Sequence, residues 1–448
     1  MCKKTIRMAL ALLTLIALLP LAGCKKKGPD LKGMDIIIGN WWADYDASTA
    51  KANSDNEERQ IAYRLKIQKD NGFKIREKNI ASWDELPQVA ITSIMAGSPA
   101  AQVMLLPPNL VLSLYNQKLL YPVNEVTTVD LTSTKPIEWN RQIIEAFTFD
   151  GKSYGFYIGY GGSAHATGVY FNKRLFAEAG LDPELPYNMQ KDGSWTWENF
   201  LDLSKKLTRD INNDGIMDTY AMTADISTTM LLSAAASNNA HFIDKDAAGK
   251  FVNAAGRPDF LQALQFTVRL QREGVLMPRP ENSAWNWYKP AFHDGKVAMM
   301  VEAEYVRNEI EDMADDWGWV FYPKGPNAND YLSPTDENVM VIPVTYSPEE
   351  VDKIMYAVQL WNMPIDDDPD SWKDAMYYRY RDARAVDDTL AMTRMPDHGV
   401  MNYHAFIPGL EIGDIAWNMW WWEGDPAQLV ESVSASWNGL LDDANGIK

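Results

Sequence analysis

Read for apolar and polar positions, the chain begins with a nearly unbroken apolar run, Met8 to Leu19, behind three basic residues, Lys3, Lys4 and Arg7. A run of about a dozen residues falls short of the roughly 20 that span a bilayer as a helix. Basic start and short apolar stretch together give a secretory signal peptide over residues 1–23. The pattern then changes. Met34 to Ile38 is a β-branched run closed by Gly39, which predicts a buried strand. Ser54 followed by Glu57 marks a helix start, and a helix with Ile61 and Leu65 on its apolar face should stop at Asn71-Gly72. Phe73 to Lys78 alternates as a strand. Asp84 to Ala96 carries Val89, Ile91, Ile94 and Met95 at helical spacing before Gly97, and Gln102 to Leu106 predicts a third strand. Strand, helix, strand, helix, strand makes the class α/β with a parallel sheet.

Beyond Phe149 the text shifts. Asp150-Gly151 is a hairpin signal, and Ser153 to Gly168 is rich in Gly and Tyr, as expected where a chain crosses between domains. Helices are predicted at Lys173 to Ala179, Trp197 to Leu207, Asp259 to Glu273, Glu349 to Met363 and Ser371 to Asp382. No period of 20 to 50 residues recurs, which argues against solenoids and propellers.

The 448 residues carry 61 acidic and 42 basic side chains, a formal charge of −19. Such a surface repels phosphates, so a nucleic-acid partner is excluded. Both cysteines, Cys2 and Cys24, lie in the first two dozen residues, so neither a disulfide scaffold nor a cysteine-rich metal site is available. Leu21-Ala22-Gly23-Cys24 resembles the lipobox of bacterial lipoproteins. Cleavage before Cys24 would leave an acylated N-terminus on a polar tether, residues 24–33, whose lysines suit anionic headgroups. The expected location is the outer face of the cytoplasmic membrane.

Familiar catalytic motifs fail on inspection. Gly151-Lys152-Ser153 lacks the upstream glycine of a phosphate loop, because Ala146 stands there. Gly159, Gly161 and Ala164 fit a dinucleotide pattern, but a strand rather than a helix should follow. The five histidines show no zinc spacing, and no nucleophile elbow is present. Acidic pairs such as Glu302 and Glu304 could serve a glycosidase, although most such pairs in an acidic chain are solvated. The sharper signal runs from Asp210 to Asp218. Asp210, Asn212, Asp214 and Asp218 occupy loop positions 1, 3, 5 and 9 of an EF-hand-like pattern, with Gly215 at 6 and the Ile216 carbonyl at 7. Position 12 is Ala221 rather than glutamate. A structural Ca2+ is the expectation, against a plain Asx-rich turn; no other cofactor is required.

Aromatic residues add most: 17 Trp, 20 Tyr and 14 Phe. Trp41-Trp42, Trp285 and Trp287 with Tyr288, and Trp417 with Trp420 to Trp422 cluster without a strand or helix period. Indole faces beside polar groups suit a ligand with apolar CH faces and a hydroxyl rim, as in sugars.

Several segments together resemble the extracellular solute-binding proteins of bacterial ABC importers, particularly the carbohydrate-binding branch. They are Gly168 to Leu181 with Trp195-Thr196-Trp197-Glu198-Asn199-Phe200, then Phe292 to Met299, and Asp150 to Gly155. The resemblance implies a two-lobed periplasmic-binding-protein-like fold of type II: a first lobe of residues 34–152 plus 337–390, and a second of 153–336 plus 391–448. It implies a carbohydrate, an oligosaccharide by choice, held between the lobes by hinge closure and passed by a monomeric, non-enzymatic receptor to permease subunits. By position in the family pattern, Trp41, Trp42, Asp44 and Trp83 would line the cleft from the first lobe. Tyr160, Trp285, Trp287, Glu304, Tyr305, Trp417 and Trp420 would line it from the second, while Trp197 would be structural. A peptide or other non-sugar solute, or a surface glycoside hydrolase, are the alternatives.

Overall fold

The computed structural model describes residues 28–446 except 136, 160–165, 224–226, 336–337, 366–369 and 423–424. The signal peptide, Cys24 and the following lysines lie outside the described residues, as does Tyr160.

The first sheet is built as the periodicity predicts. Strands β1 (Asp35–Asn40), β2 (Lys74–Asn79) and β3 (Val103–Leu106) are parallel, with β1 in the middle. Helix α1 (Asp55–Asn71) connects β1 to β2, and α2 (Leu86–Met95) connects β2 to β3. Ser54 Oγ accepts the Glu57 N–H at the start of α1, and Gly72, at φ 69°, closes its end by donating to the Gln68 carbonyl. A left-handed residue there costs glycine nothing. Leu65, expected on the buried face, is 41% exposed; α1 turns Ile67 inward instead. Gly39 is required by close approach, since a Cβ would stand 2.8 Å from both the Ala101 Cβ and Ile80 Cδ1.

The second sheet is antiparallel, with β4 (Thr167–Asn172) between β5 (Met299–Ala303) and β6 (Trp317–Phe321). All five residues of β6 are buried, and Trp317, Trp319, Tyr170 and Trp195 fill the surrounding core. Trp197 is 5% exposed and stacks flat on Phe266 at 4.4 Å and 3°, which makes it a packing residue as the resemblance implied.

The first sheet is completed late in the chain. Strand β7 (Val339–Val341) adds antiparallel to β3, giving the order β7-β3-β1-β2, and helix α3 (Pro348–Trp361) packs Val351, Ile354, Val358 and Trp361 into the same core as Ile36, Ile38 and Ile75. Ser347 and Glu350 form a full capping box at its start. Two segments therefore cross between the sheets. Phe156 bridges to Met340 on the side of the first sheet, and the Thr167 N–H donates to Ser333 Oγ at 2.8 Å on the side of the second. The Asp150-Gly151 hairpin precedes the first crossing, with both residues at positive φ, 50° and 75°.

Two expectations need correction. The helix foreseen over Ser371 to Asp382 is only Trp372–Tyr377, because Tyr380 turns inward to bond Glu304. Residues 380–390, assigned to the first lobe by the resemblance, pack on the second: Lys173 pairs with Asp382 at 2.6 Å, and Gln190 bonds Thr389 at 3.0 Å.

Candidate functional site

In open α/β sheets the carboxyl ends of parallel strands border the ligand crevice, because crossovers cover the faces and leave these ends open. Asn40 is the last residue of β1 and is fully buried. Its Oδ1 accepts the N–H groups of Trp42 and Ala43 at 2.9 and 3.1 Å, and its Nδ2 donates to the Ala43 carbonyl at 2.9 Å. A short Asx turn thus lifts Trp41 and Trp42 off the strand end. Asp44 clamps the turn to the neighbouring strand, its Oδ1 accepting the Asn79 N–H at 2.7 Å. Trp41 meets Trp42 edge-on at 4.8 Å and Trp83 at 5.1 Å. Trp42 and Trp83 remain 50% and 55% exposed. Burying such surface on a ligand is favourable at roughly 25 cal/mol per Å2.

A second aromatic group stands on the other half. Trp285 is 64% exposed, and its ring centroid lies 6.0 Å from that of Trp417, inclined at 42°. Trp417 belongs to helix α4 (Gly413–Trp422), whose Ile415, Ala416 and Met419 are buried. Tyr305 projects from a short 3-10 turn and is 49% exposed. The Trp420 side chain lies outside the described ones.

Two expected cleft residues are placed elsewhere. Trp287 is buried in the hydrophobic core. Glu304 is also buried, paired with Arg307 and accepting a hydrogen bond from the Tyr380 hydroxyl at 3.1 Å. The Tyr170 hydroxyl donates to the Glu304 carbonyl at 2.8 Å. Burial holds the Tyr170 and Tyr380 phenols far above their ordinary range, so both act as permanent donors. Glu302, the other member of the acidic pair, accepts from the Tyr288 hydroxyl at 2.6 Å and from the Ala303 N–H at 2.9 Å. Both carboxylates are thus held by internal donors, which fixes the strand end that carries Tyr305.

The 210–218 loop is exposed and self-bonded. Asp210 accepts the N–H groups of Asp214 and Gly215, Asp218 accepts that of Ile211 at 2.7 Å, and Asp214 accepts that of Ile216 at 2.8 Å. Asn213 and Gly215 take positive φ, 60° and 85°. The oxygen spacing fits a hard cation, but the twelfth position does not, since Ala221 is fully buried. Among the described residues, no three His, Cys, Asp or Glu side chains converge as a metal cage. No helix of the described residues is long and apolar enough to cross a membrane.

Asn40 was missed by sequence reasoning. An Asn ending a β-branched run directly before two tryptophans was the available signal, and Asx-turn propensity is its cause.

Comparison with known proteins follows from this geometry. Residues 62–353 match the model of a family described as bacterial extracellular solute-binding protein. Putative binding proteins from Brucella abortus and Brucella suis are 24% identical over 289 residues, which span 62% of this chain and 62% of theirs. Among solved structures, the cyclic alpha-maltosyl-1,6-maltose binding protein of Arthrobacter globiformis superposes with a TM-score of 0.62 at 15% identity, over 92% of this chain and 99% of that one. UspC of M. tuberculosis gives 0.61 at 16%, over 93% and 100%. UgpB of M. tuberculosis, solved with glycerophosphocholine, gives 0.58 at 16%, over 91% and 98%. At these identities the likeness establishes the two-lobed fold.

Proposed function

The chain belongs to the bacterial extracellular solute-binding proteins, and from that premise we propose that it captures an oligosaccharide between its lobes and presents it to an ABC importer. The observation that carries this reading is the two indole groups, exposed Trp42 with exposed Trp83 on one half and exposed Trp285 against half-buried Trp417 on the other. Tryptophan is costly to leave in water, so open indoles beside a strand end (Trp42, Trp83) and on the Trp285 turn are best accounted for by a ligand that covers them. Sugar rings offer flat CH surfaces for stacking, and Asp44, whose Oδ2 is left over from the Asn79 bond, has an acceptor for a hydroxyl.

Capture works by population shift. A ligand that touches both indole groups only when the lobes close favours the closed form by the free energy of the additional contacts. The crossings at Phe156–Met340 and Thr167–Ser333 are the places where backbone rotation would be absorbed. The receptor is monomeric and has no turnover of its own. Acylation at Cys24 holds it at the outer face of the membrane, beside its permease, and a Ca2+ ion on Asp210, Asn212, Asp214, the Ile216 carbonyl and Asp218 pins the 210–218 loop.

The direct test is titration of the full chain with a panel of neutral oligosaccharides, followed by intrinsic tryptophan fluorescence. A saturable shift supports the reading. Silence across the panel, together with tight binding of a peptide or a polyol phosphodiester, replaces it with a non-sugar solute.

A further inference from the structure

The chain enters the first sheet through a segment that is already packed. Gly28 lies against the Tyr356 ring of α3, where a Cβ would overlap the ring. Leu31 is buried in the core of the first half, the Gly33 N–H donates to the Gly72 carbonyl at 2.8 Å, and the Met34 N–H donates to the Leu31 carbonyl at 3.0 Å. Residues 28–34 are therefore part of the folded body, which they join at the amino end of β1. Trp42 and Trp83 stand at the other end of the sheet, because β1 carries the chain roughly 17 Å from Asp35 to Asn40 before the indoles are reached.

Reach decides which end a lipid on Cys24 would hold. Only Lys25, Lys26 and Lys27 separate Cys24 from Gly28, so its backbone stays within about 14 Å of Gly28. Were the body inverted, Gly28 would stand at least the length of β1 above the headgroups, which is more than that tether spans. The charges at the amino end permit the approach. Asp35 pairs with Arg76, Asp70 with Lys66 at 2.5 Å and Glu349 with Lys353 at 2.7 Å. Asp30, Asp46, Glu350 and Asp352 each accept a backbone N–H. Lys32, Lys69 and Lys74 are exposed and form no ion pair among the described residues, and with Lys25 to Lys27 they outnumber those four acids. On a chain of net charge −19, this end is one that anionic headgroups do not repel.

We infer that the amino end of the first sheet, with Lys32, Lys69 and Lys74, is the face that rests on an anionic bilayer when no permease is engaged, so that the indole groups point away from the membrane. The inference rests on acylation of Cys24 but not on the oligosaccharide reading, and anchor and face are tested apart. The intact mass of the protein extracted from membranes reports acylation. For the face, the chain from Cys24 onward, in which that thiol is the only one, is coupled to a maleimide lipid in vesicles of equal parts phosphatidylcholine and phosphatidylglycerol. Its surface lysines are then acetylated and quantified by mass spectrometry, with the thiol-capped chain beside the same vesicles as comparison. Coupling should protect Lys32, Lys69 and Lys74 severalfold. Lys78, about 13 Å further along the strand that begins at Lys74, should react as before, as should Lys206 and Lys250 of the second half. With acylation found, uniform protection, protection centred on Lys78, or no protection at all would overturn the face and leave the anchor standing. An unmodified Cys24 in the membrane-extracted protein would remove both.

Discussion

Trp285 and Trp417, distant in sequence, hold their ring centroids 6.0 Å apart at 42°, one ring in a loop and the other on a helix anchored by Ile415, Ala416 and Met419. Their relative angle is set by separate elements, so each can be removed without unfolding the other. Trp417→Ala should weaken oligosaccharide binding roughly tenfold, the equivalent of about 1.4 kcal/mol, and strip away much of the fluorescence response. A titration curve superimposable on that of the parent chain would remove Trp417 from the site.

Asn40 should matter more than its size suggests. Asn40→Ala leaves the N–H groups of Trp42 and Ala43 and the Ala43 carbonyl without their partner, a loss of roughly 1–3 kcal/mol. Chemical denaturation should show that loss, and glycan affinity should fall with it because Trp42 is no longer held. Asp44→Asn keeps an acceptor for the Asn79 N–H and should leave stability within about 0.5 kcal/mol of the parent.

Lys245 gives an alkaline signature. Its ammonium donates to the Ala146 carbonyl at 2.8 Å and lies within 5.0–5.9 Å of the rings of Phe149, Phe251, Tyr403 and Phe406. Burial pushes it down to about 8 from an ordinary 10.5. Between those values the unfolded chain binds the additional proton, so stability should rise as pH climbs from about 8 to about 10.5 and level off above. Lys245→Met should erase that rise. Urea midpoints at pH 7.5 and 10 measure it, and an identical alkaline rise in the variant would assign it to another group.

His404 governs the acid side. Burial pushes it down to about 4 from 6.5, so the unfolded chain takes up the proton first as pH falls. Its contribution is complete above about pH 6.5, is lost progressively down to about 4 and is constant below. His404→Gln should flatten unfolding free energy across that window; a slope equal to that of the parent would count against this origin.

Calcium should raise the thermal midpoint by a few degrees if the 210–218 loop binds it, since a ligand held only by the folded state stabilises by mass action. Asp210→Ala combined with Asp214→Ala should remove the increment without altering the midpoint measured in chelator by more than the loss of their Asx bonds. No response to millimolar Ca2+ in the parent chain would leave the loop as a self-bonded turn.

Much of the architecture was legible in local sequence. Ile36 and Ile38 before Gly39, Ser54 ahead of Glu57, and the Asn71-Gly72 stop depend on neighbours within a few residues, and the structure realises them. Where the reading failed, the deciding partner was remote. Leu65 faces water because α1 docks through Ile67, and the 371–382 helix ends early because Tyr380 finds Glu304. Glu304 looked like a cleft carboxylate in isolation; only the fold brings Arg307, Tyr380 and Tyr170 around it.

The sequence by itself determined the α/β class, the family and the abundance of indoles, because periodicity, turn chemistry and motif spacing are written in consecutive residues. Tertiary structure alone decided which tryptophans are packing and which stand open: Trp197 and Trp317 are enclosed, while Trp42, Trp83 and Trp285 are exposed. Burial is a property of what arrives from elsewhere in the chain, and no local pattern encodes it.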